Sequence, residues 1–84
     1  MRATVLVRPK PGILDPQGQA VSGSLRHLGF DVSDVRVGRL IDVELATDDA
    51  GQARAELERM CEQLLANPLI ERYEIALPAG EASA

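Results

Sequence analysis

The amino-acid sequence predicts an α+β protein: a two-layer sandwich in which two helices cover one face of an antiparallel sheet. Three observations point there. Apolar residues alternate near both ends, at Ala3, Val5 and Val7 and again at Tyr73, Ile75 and Leu77, as half-buried strands require. Two internal segments switch to helical spacing, with turn and cap residues at their boundaries. Between them lies a β-prone stretch, Val32 to Ala46, whose large apolar residues after Val32 fall on odd numbers apart from Leu40. The order is β-α-β(β)-α-β in a single domain over residues 1–77, followed by a small, polar, flexible tail over 78–84.

Arg2 to Arg8 is the first strand, with Ala3, Val5 and Val7 on one face and Thr4 and Leu6 on the other. The decapeptide Pro9 to Gly18 follows, and it is the most heavily specified stretch of the chain. Pro9 and Pro11 lack backbone donors and stop sheet pairing. Gly12 is free to turn. Asp15 stands where a helix takes its N-cap, and Pro16 where the first helical residue has no use for an N–H. Lys10, Gln17 and Gly18 exceed what a strand-to-helix loop needs, and Gly18 weakens the first helical turn by roughly 1 kcal/mol relative to alanine. That surplus predicts a surface that meets a partner.

The first helix runs to Leu28, with Ala20, Val21, Leu25 and Leu28 on its inner side and Gln19, Ser22 and Arg26 opposite. Gly29 closes it in a left-handed conformation, and Phe30 folds back onto its end. Two layouts suit Val32 to Ala46. One is a hairpin with a three-residue turn at Gly38, because a two-residue turn would send Asp42 inward and Ile41 outward. The other, which is preferred, is one long strand bent at Gly38; it overhangs a small sheet and needs a strand from a neighbouring copy, extending the sheet across a dimer. Asp48 or Asp49 then caps a second helix reaching about Ala66, with Ala50, Ala53, Leu57, Met60, Cys61, Leu64 and Leu65 as its apolar stripe. Asn67-Pro68 ends that helix, Asn67 as a left-handed cap, and Leu69 to Leu77 is the last strand.

Catalytic constellations are absent from this reading. Cys61 lies on the apolar stripe and is a packed core thiol rather than a nucleophile. His27, late in the first helix, suits the negative helix end. One Cys and one His far apart make no metal site. The carboxylates, Glu58 and Glu62 among them, suit a solvated face. An anion at the helix start near Lys10 and Arg8 is disfavoured because Asp15 already occupies the positive end. No catalytic, cofactor or metal residue is expected in the chain.

Composition narrows the field further. With 84 residues, one Phe, one Tyr, no Trp and a single Cys, the interior is small and no disulfide supports it, which predicts self-association as a dimer or tetramer. A net charge of -4 and scarce aromatics argue against nucleic acid. No apolar run approaches a membrane span, no signal-peptide pattern is present, and a lone Cys suits a reducing compartment; a cytoplasmic location is expected.

Three segments carry a resemblance: Lys10-Pro11-Gly12-Ile13-Leu14-Asp15-Pro16-Gln17-Gly18; Leu28-Gly29-Phe30 with Val35-Arg36-Val37-Gly38-Arg39; and Leu64-Leu65-Ala66-Asn67-Pro68-Leu69-Ile70-Glu71-Arg72-Tyr73. In this order and at this chain length they resemble the PurS family, small subunits of phosphoribosylformylglycinamidine synthase in purine biosynthesis. Arg72 departs from the acidic or amide residue that the family pattern leads one to expect. The resemblance implies a subunit without an active site of its own that self-associates and joins a large ATP-dependent synthetase subunit to a glutaminase subunit. The assembly would convert formylglycinamide ribonucleotide to the amidine with glutamine as nitrogen donor, ATP and Mg being held by the synthetase subunit. The matching positions Lys10, Gly12, Asp15, Gln17, Gly18, Asn67, Pro68, Glu71 and Tyr73 become the candidate interface. The competing reading is a free-standing dimeric regulatory domain that binds a small ligand between subunits.

Overall fold

The computed structural model describes residues 1–78, so the expected tail, Pro78 apart, lies outside the described residues. The elements are β1 (Arg2–Pro9), α1 (Pro16–His27), β2 (Arg39–Glu44), α2 (Ala50–Met60), a π-helical turn (Cys61–Leu65) and β3 (Glu71–Ala76). The α+β class and the β-α-β-α-β order are as the sequence predicts. The sheet is antiparallel in the order β2-β1-β3, with β1 in the centre. β1 takes that place because its inner residues are small or β-branched and pack flat against a helix. Ala3, Val5 and Val7 are at most 1% exposed.

The core closes when α2 lays Ala53 and Leu57, and the π turn Cys61, over those three residues, with Leu45 and Ala66 completing it. Asp49 starts α2, its carboxylate accepting from the Gln52 amide at 3.3 Å. Of the expected stripe, Ala53, Leu57 and Cys61 are buried and Met60 half-buried, whereas Ala50 at the helix start is exposed; beyond Cys61 the stripe shifts. The Ala66 amide donates to the Cys61 carbonyl five residues back, at 3.0 Å, so the turn is wider than α. Leu65 and Ala66 are thereby carried inward, while Leu64 is left 83% exposed.

Three further expectations are corrected. The first concerns α1. None of its residues joins the core, and Ala20, Val21 and Leu28 face solvent while Gly18 and Ser22 are its buried positions. The reason is the chain from 32 to 37, which runs alongside α1 as a strap and is pinned to it by polar bonds. The Arg26 Nε donates to the Val32 carbonyl at 3.2 Å, and the Val37 amide donates to Asp15 at 2.7 Å. A strap fits closely only against small side chains, so α1 turns its Gly18–Ser22 face inward.

The second concerns Val32 to Ala46, which is neither a hairpin nor one long strand: β2 begins only at Arg39. Asp15 takes the Val37 amide that pairing would need, and Gly38 presses against the Val7 carbonyl. The odd-numbered alternation survives even so, with Val35, Val37, Ile41 and Val43 half-buried and Leu45 buried. The third concerns Asn67, which is not left-handed; among the described residues the only positive φ values are those of Gly12 and Gly29. Asn67 instead closes a turn, its side-chain oxygen accepting from the Leu69 amide at 3.1 Å.

Gly29 does close α1 as expected. At φ 99° it directs its amide to the Arg26 carbonyl, and the Phe30 amide returns to the Leu25 carbonyl, both at 3.0 Å.

Candidate partner interface

Eight of the nine candidate positions lie at or near one end of the sheet. β1 ends at Pro9, and Pro11 with Gly12 then makes a tight turn closed by the Ile13 amide on the Lys10 carbonyl at 3.2 Å. Pro before a glycine at φ 85° is the pattern of a type II turn. The Lys10 amide donates to the Ile70 carbonyl at 2.9 Å and so ties this loop to the one carrying Asn67 and Pro68. Sequence positions sixty apart (10 and 70) become neighbours on one surface.

Asp15 holds the first half together. It is the N-cap of α1 by position, yet its carboxylate makes its short bond across to Val37 rather than into its own helix. The Val37 amide and then the Gly18 amide hold its pKa below the usual carboxylate value against an opposing desolvation, with smaller help from the Arg36 guanidinium and the Gln17 amide. Arg36 completes the bracket by donating to the Ile13 carbonyl at 2.6 Å. Between loop and strap lies a cleft of about 310 Å³ lined by Gly12, Leu14, Asp15, Gln19, Asp34 and Arg36 among others.

Gly18 has its explanation here. A Cβ at this position would collide with the Val35 carbonyl and come within 2.7 Å of the Asp15 carboxylate. Helix propensity alone predicts that Gly18→Ala stabilises by roughly 1 kcal/mol. The backbone collision reverses the sign, and we expect a net loss of about 1–3 kcal/mol in urea unfolding.

Arg39 organises the second half. Its guanidinium grips Glu71 through two bonds, at 2.9 and 3.3 Å, and donates to the Leu65 carbonyl at 2.7 Å. Glu71 in turn accepts from the Asn67 amide at 2.8 Å. The Arg39 bond and the Asn67 amide hold the Glu71 pKa below its usual value. Depressed carboxylate pKa values mean that the stability from Asp15 and Glu71 is fully present above their ordinary values of 3.8 and 4.5 and is lost as pH falls through their lower folded values. Amide shifts of Val37 and Asn67 should follow those two acid titrations; if both amides titrate at ordinary carboxylate pKa values, the bonds are not formed.

Tyr73 sits apart from the others. It lies half-buried on the α2 side, and its hydroxyl donates to Glu62 at 3.0 Å, which braces the π turn. Desolvation, with the Glu62 bond second, raises its pKa. The side chains of Lys10 and Gln17 make no hydrogen bond or ion pair among the described residues.

Residues that the sequence reading did not single out add the apolar part. Leu14 is 68% exposed and Leu69 82%, one on each loop, with Ile70 beside them. A leucine in a loop has no periodicity to reveal it. The partners of Arg36 and Arg39 are equally hidden, because they lie 23 to 32 residues away. Among the described residues, no group of three or more His, Cys, Asp or Glu is placed to hold a metal, and no helix is long and apolar enough to cross a membrane.

An α+β module with braced loops, exposed leucines and polar side chains at one sheet end belongs to the class of assembly subunits. Comparison with known proteins gives the family. The family model for PurS, phosphoribosylformylglycinamidine (FGAM) synthase, matches residues 2–79. The PurS subunit of the Synechocystis enzyme is 42% identical over 80 residues, covering 94% of this chain and 80% of that one. That of Mycobacterium leprae is 44% identical over 88% of this chain and 91% of its own. The crystal structure of Methanocaldococcus jannaschii PurS superposes with a TM-score of 0.77 at 39% identity, covering 88% and 90% of the two chains. A chain of the Thermotoga maritima PurLQS structure does so with a TM-score of 0.80 at 29% identity, covering 88% and 92%. The chain belongs to the PurS family, subunits of FGAM synthase.

Proposed function

We propose that this chain is the adaptor of a cytoplasmic FGAM synthase, holding an ATP-dependent synthetase subunit and a glutaminase subunit in fixed relation so that ammonia passes between them. The observation that carries this is the gathering of the Lys10–Gly18 and Asn67–Glu71 loops on one sheet end, each with an exposed leucine and an internal brace. Braced loops lose little conformational freedom on docking, which favours a specific interface. The adaptor's contribution is positional: ammonia released at one site reaches the other only while the two are held in register. ATP and Mg are assigned to the synthetase subunit, and no catalytic residue is assigned to this chain. The resemblance to a chain of the PurLQS structure supports the reading.

Self-association belongs to the same proposal. α1 contributes no residue to the core and leaves Ala20, Val21 and Leu28 uncovered. A second copy packed along that helix would supply the cover. The test is reconstitution: glutamine-dependent amidine formation by the two large subunits should require this chain, whereas formation from added ammonia should need it far less. Equal glutamine-dependent rates with and without it would overturn the adaptor reading.

A further inference from the structure

β1 turns Leu6 and Arg8 to the face of the sheet that α2 leaves open. In the register of β1 with β3, Arg8 stands directly opposite Arg72. Like charges at such a position are destabilising. Arg8 has a partial counter-charge in Glu74 at 3.8 Å, while Arg72 has no hydrogen bond or ion pair among the described residues. On the other side of β1, Val7 is opposite Arg39, so Gly38 comes next to Arg8 and presents no side chain there. The row Gly38–Arg8–Arg72 thus holds two cations and one open position. Around it is a cleft of about 330 Å³, lined by Leu6, Arg8, Pro9, Arg36, Arg39 and Arg72 among others. The Arg36 and Arg39 guanidinium groups are already engaged, Arg36 by the Ile13 carbonyl and by Asp34 at 3.6 Å, and Arg39 by Leu65 and Glu71, so Arg8 and Arg72 are the pair that faces the cleft. Four of the nine cationic residues of a protein with net charge -4 line this one cleft, and Arg72 is the one of the four without a counter-charge among the described residues.

We propose that this cleft binds a phosphate group, free or carried by a small phosphorylated metabolite. A phosphate accepts paired bonds from planar guanidinium groups, and its double charge converts the Arg8–Arg72 repulsion into shared attraction. A single carboxylate would neutralise only one of the two. The volume lies at the small end of ligand-binding clefts, roughly 300–1,000 Å³, which suits a small molecule better than a protein segment. Leu6, with the exposed Leu40 opposite it in register, offers apolar contact to whatever carries the phosphate.

The test is calorimetric titration of the full chain with inorganic phosphate and, separately, with ribose 5-phosphate. Ribose and sodium chloride at matched ionic strength are the controls. Saturable one-to-one binding of the phosphate compounds is expected, with none for the controls. Arg72→Gln should weaken it about tenfold or more. That variant should melt no lower than the parent without ligand, because it removes a repulsion. Glu74→Gln, which releases Arg8, should tighten binding. Equal affinity for the two probes assigns the site to the free anion, and tighter ribose 5-phosphate binding assigns it to a metabolite. No saturable heat with either compound, or equal binding by Arg72→Gln, would overturn the proposal. So would an Arg72→Gln variant that loses only its affinity for the synthetase subunit, since the cleft would then be a protein contact.

Discussion

Leu57→Ala is expected to cost about 2–5 kcal/mol and to leave a large share of the chain unfolded at 37 °C. Leu57 is fully buried and is the largest side chain that α2 places against Val5 and Val7. Half of the buried cluster is small, with alanine at positions 3, 53 and 66 and a thiol at Cys61, which leaves mainly Val5, Val7 and Leu45 to fill the space left behind. A lone core of this size has only a few kcal/mol of net stability, and one truncation removes most of it. Urea unfolding followed by circular dichroism measures the loss. A change below about 1 kcal/mol would mean that the core lies elsewhere. Because self-association also stabilises, the comparison should be made at several protein concentrations.

Leu14→Asp and Leu69→Asp are expected to do the reverse: leave the fold intact and abolish assembly. Both side chains are mostly exposed, so stability should change by no more than about 0.5 kcal/mol. At a docked interface, a leucine that fills a pocket is replaced by a carboxylate that loses its water without gaining a partner. Each variant should weaken capture by the large subunits roughly 30-fold or more if its leucine is a hot spot. Surface plasmon resonance with the immobilised synthetase subunit reads this directly. Unchanged affinity in both variants would remove the leucines from the interface.

These two sets of residues differ in how they could be found. Val5 and Leu57 are legible in the sequence because burial follows a period of 2 in a strand and 3.6 in a helix. Asp49, Gly12 and Gly29 are legible because caps and turns demand particular residue types. The position of α1 was not legible. Its apolar spacing points to one face, but the bonds from Asp15 to Val37 and from Arg26 to Val32 choose another. Local propensity says nothing of such tertiary bonds. Gly18 shows the same limit from the other side: it is a poor helix residue by composition and a required one by contact. The π turn also escaped, since one extra residue in a helix leaves no mark on composition, although it leaves Leu64 exposed where both Leu64 and Leu65 were expected to face the core. Of the candidate interface, the heavily specified decapeptide and the Asn67-Pro68 turn were visible. Their meeting through the Lys10–Ile70 bond was not.

Hydrogen exchange on the chain alone and within the assembled synthase tests the central claim most directly. Docking at the sheet end should slow exchange of exposed amides in 10–18 and 66–71, with lesser change in 42–45 at the other end of the sheet, where Glu44 pairs with Arg2. Protection confined to α2 or to the open sheet face, with both loops exchanging as they do in the free chain, would contradict the account.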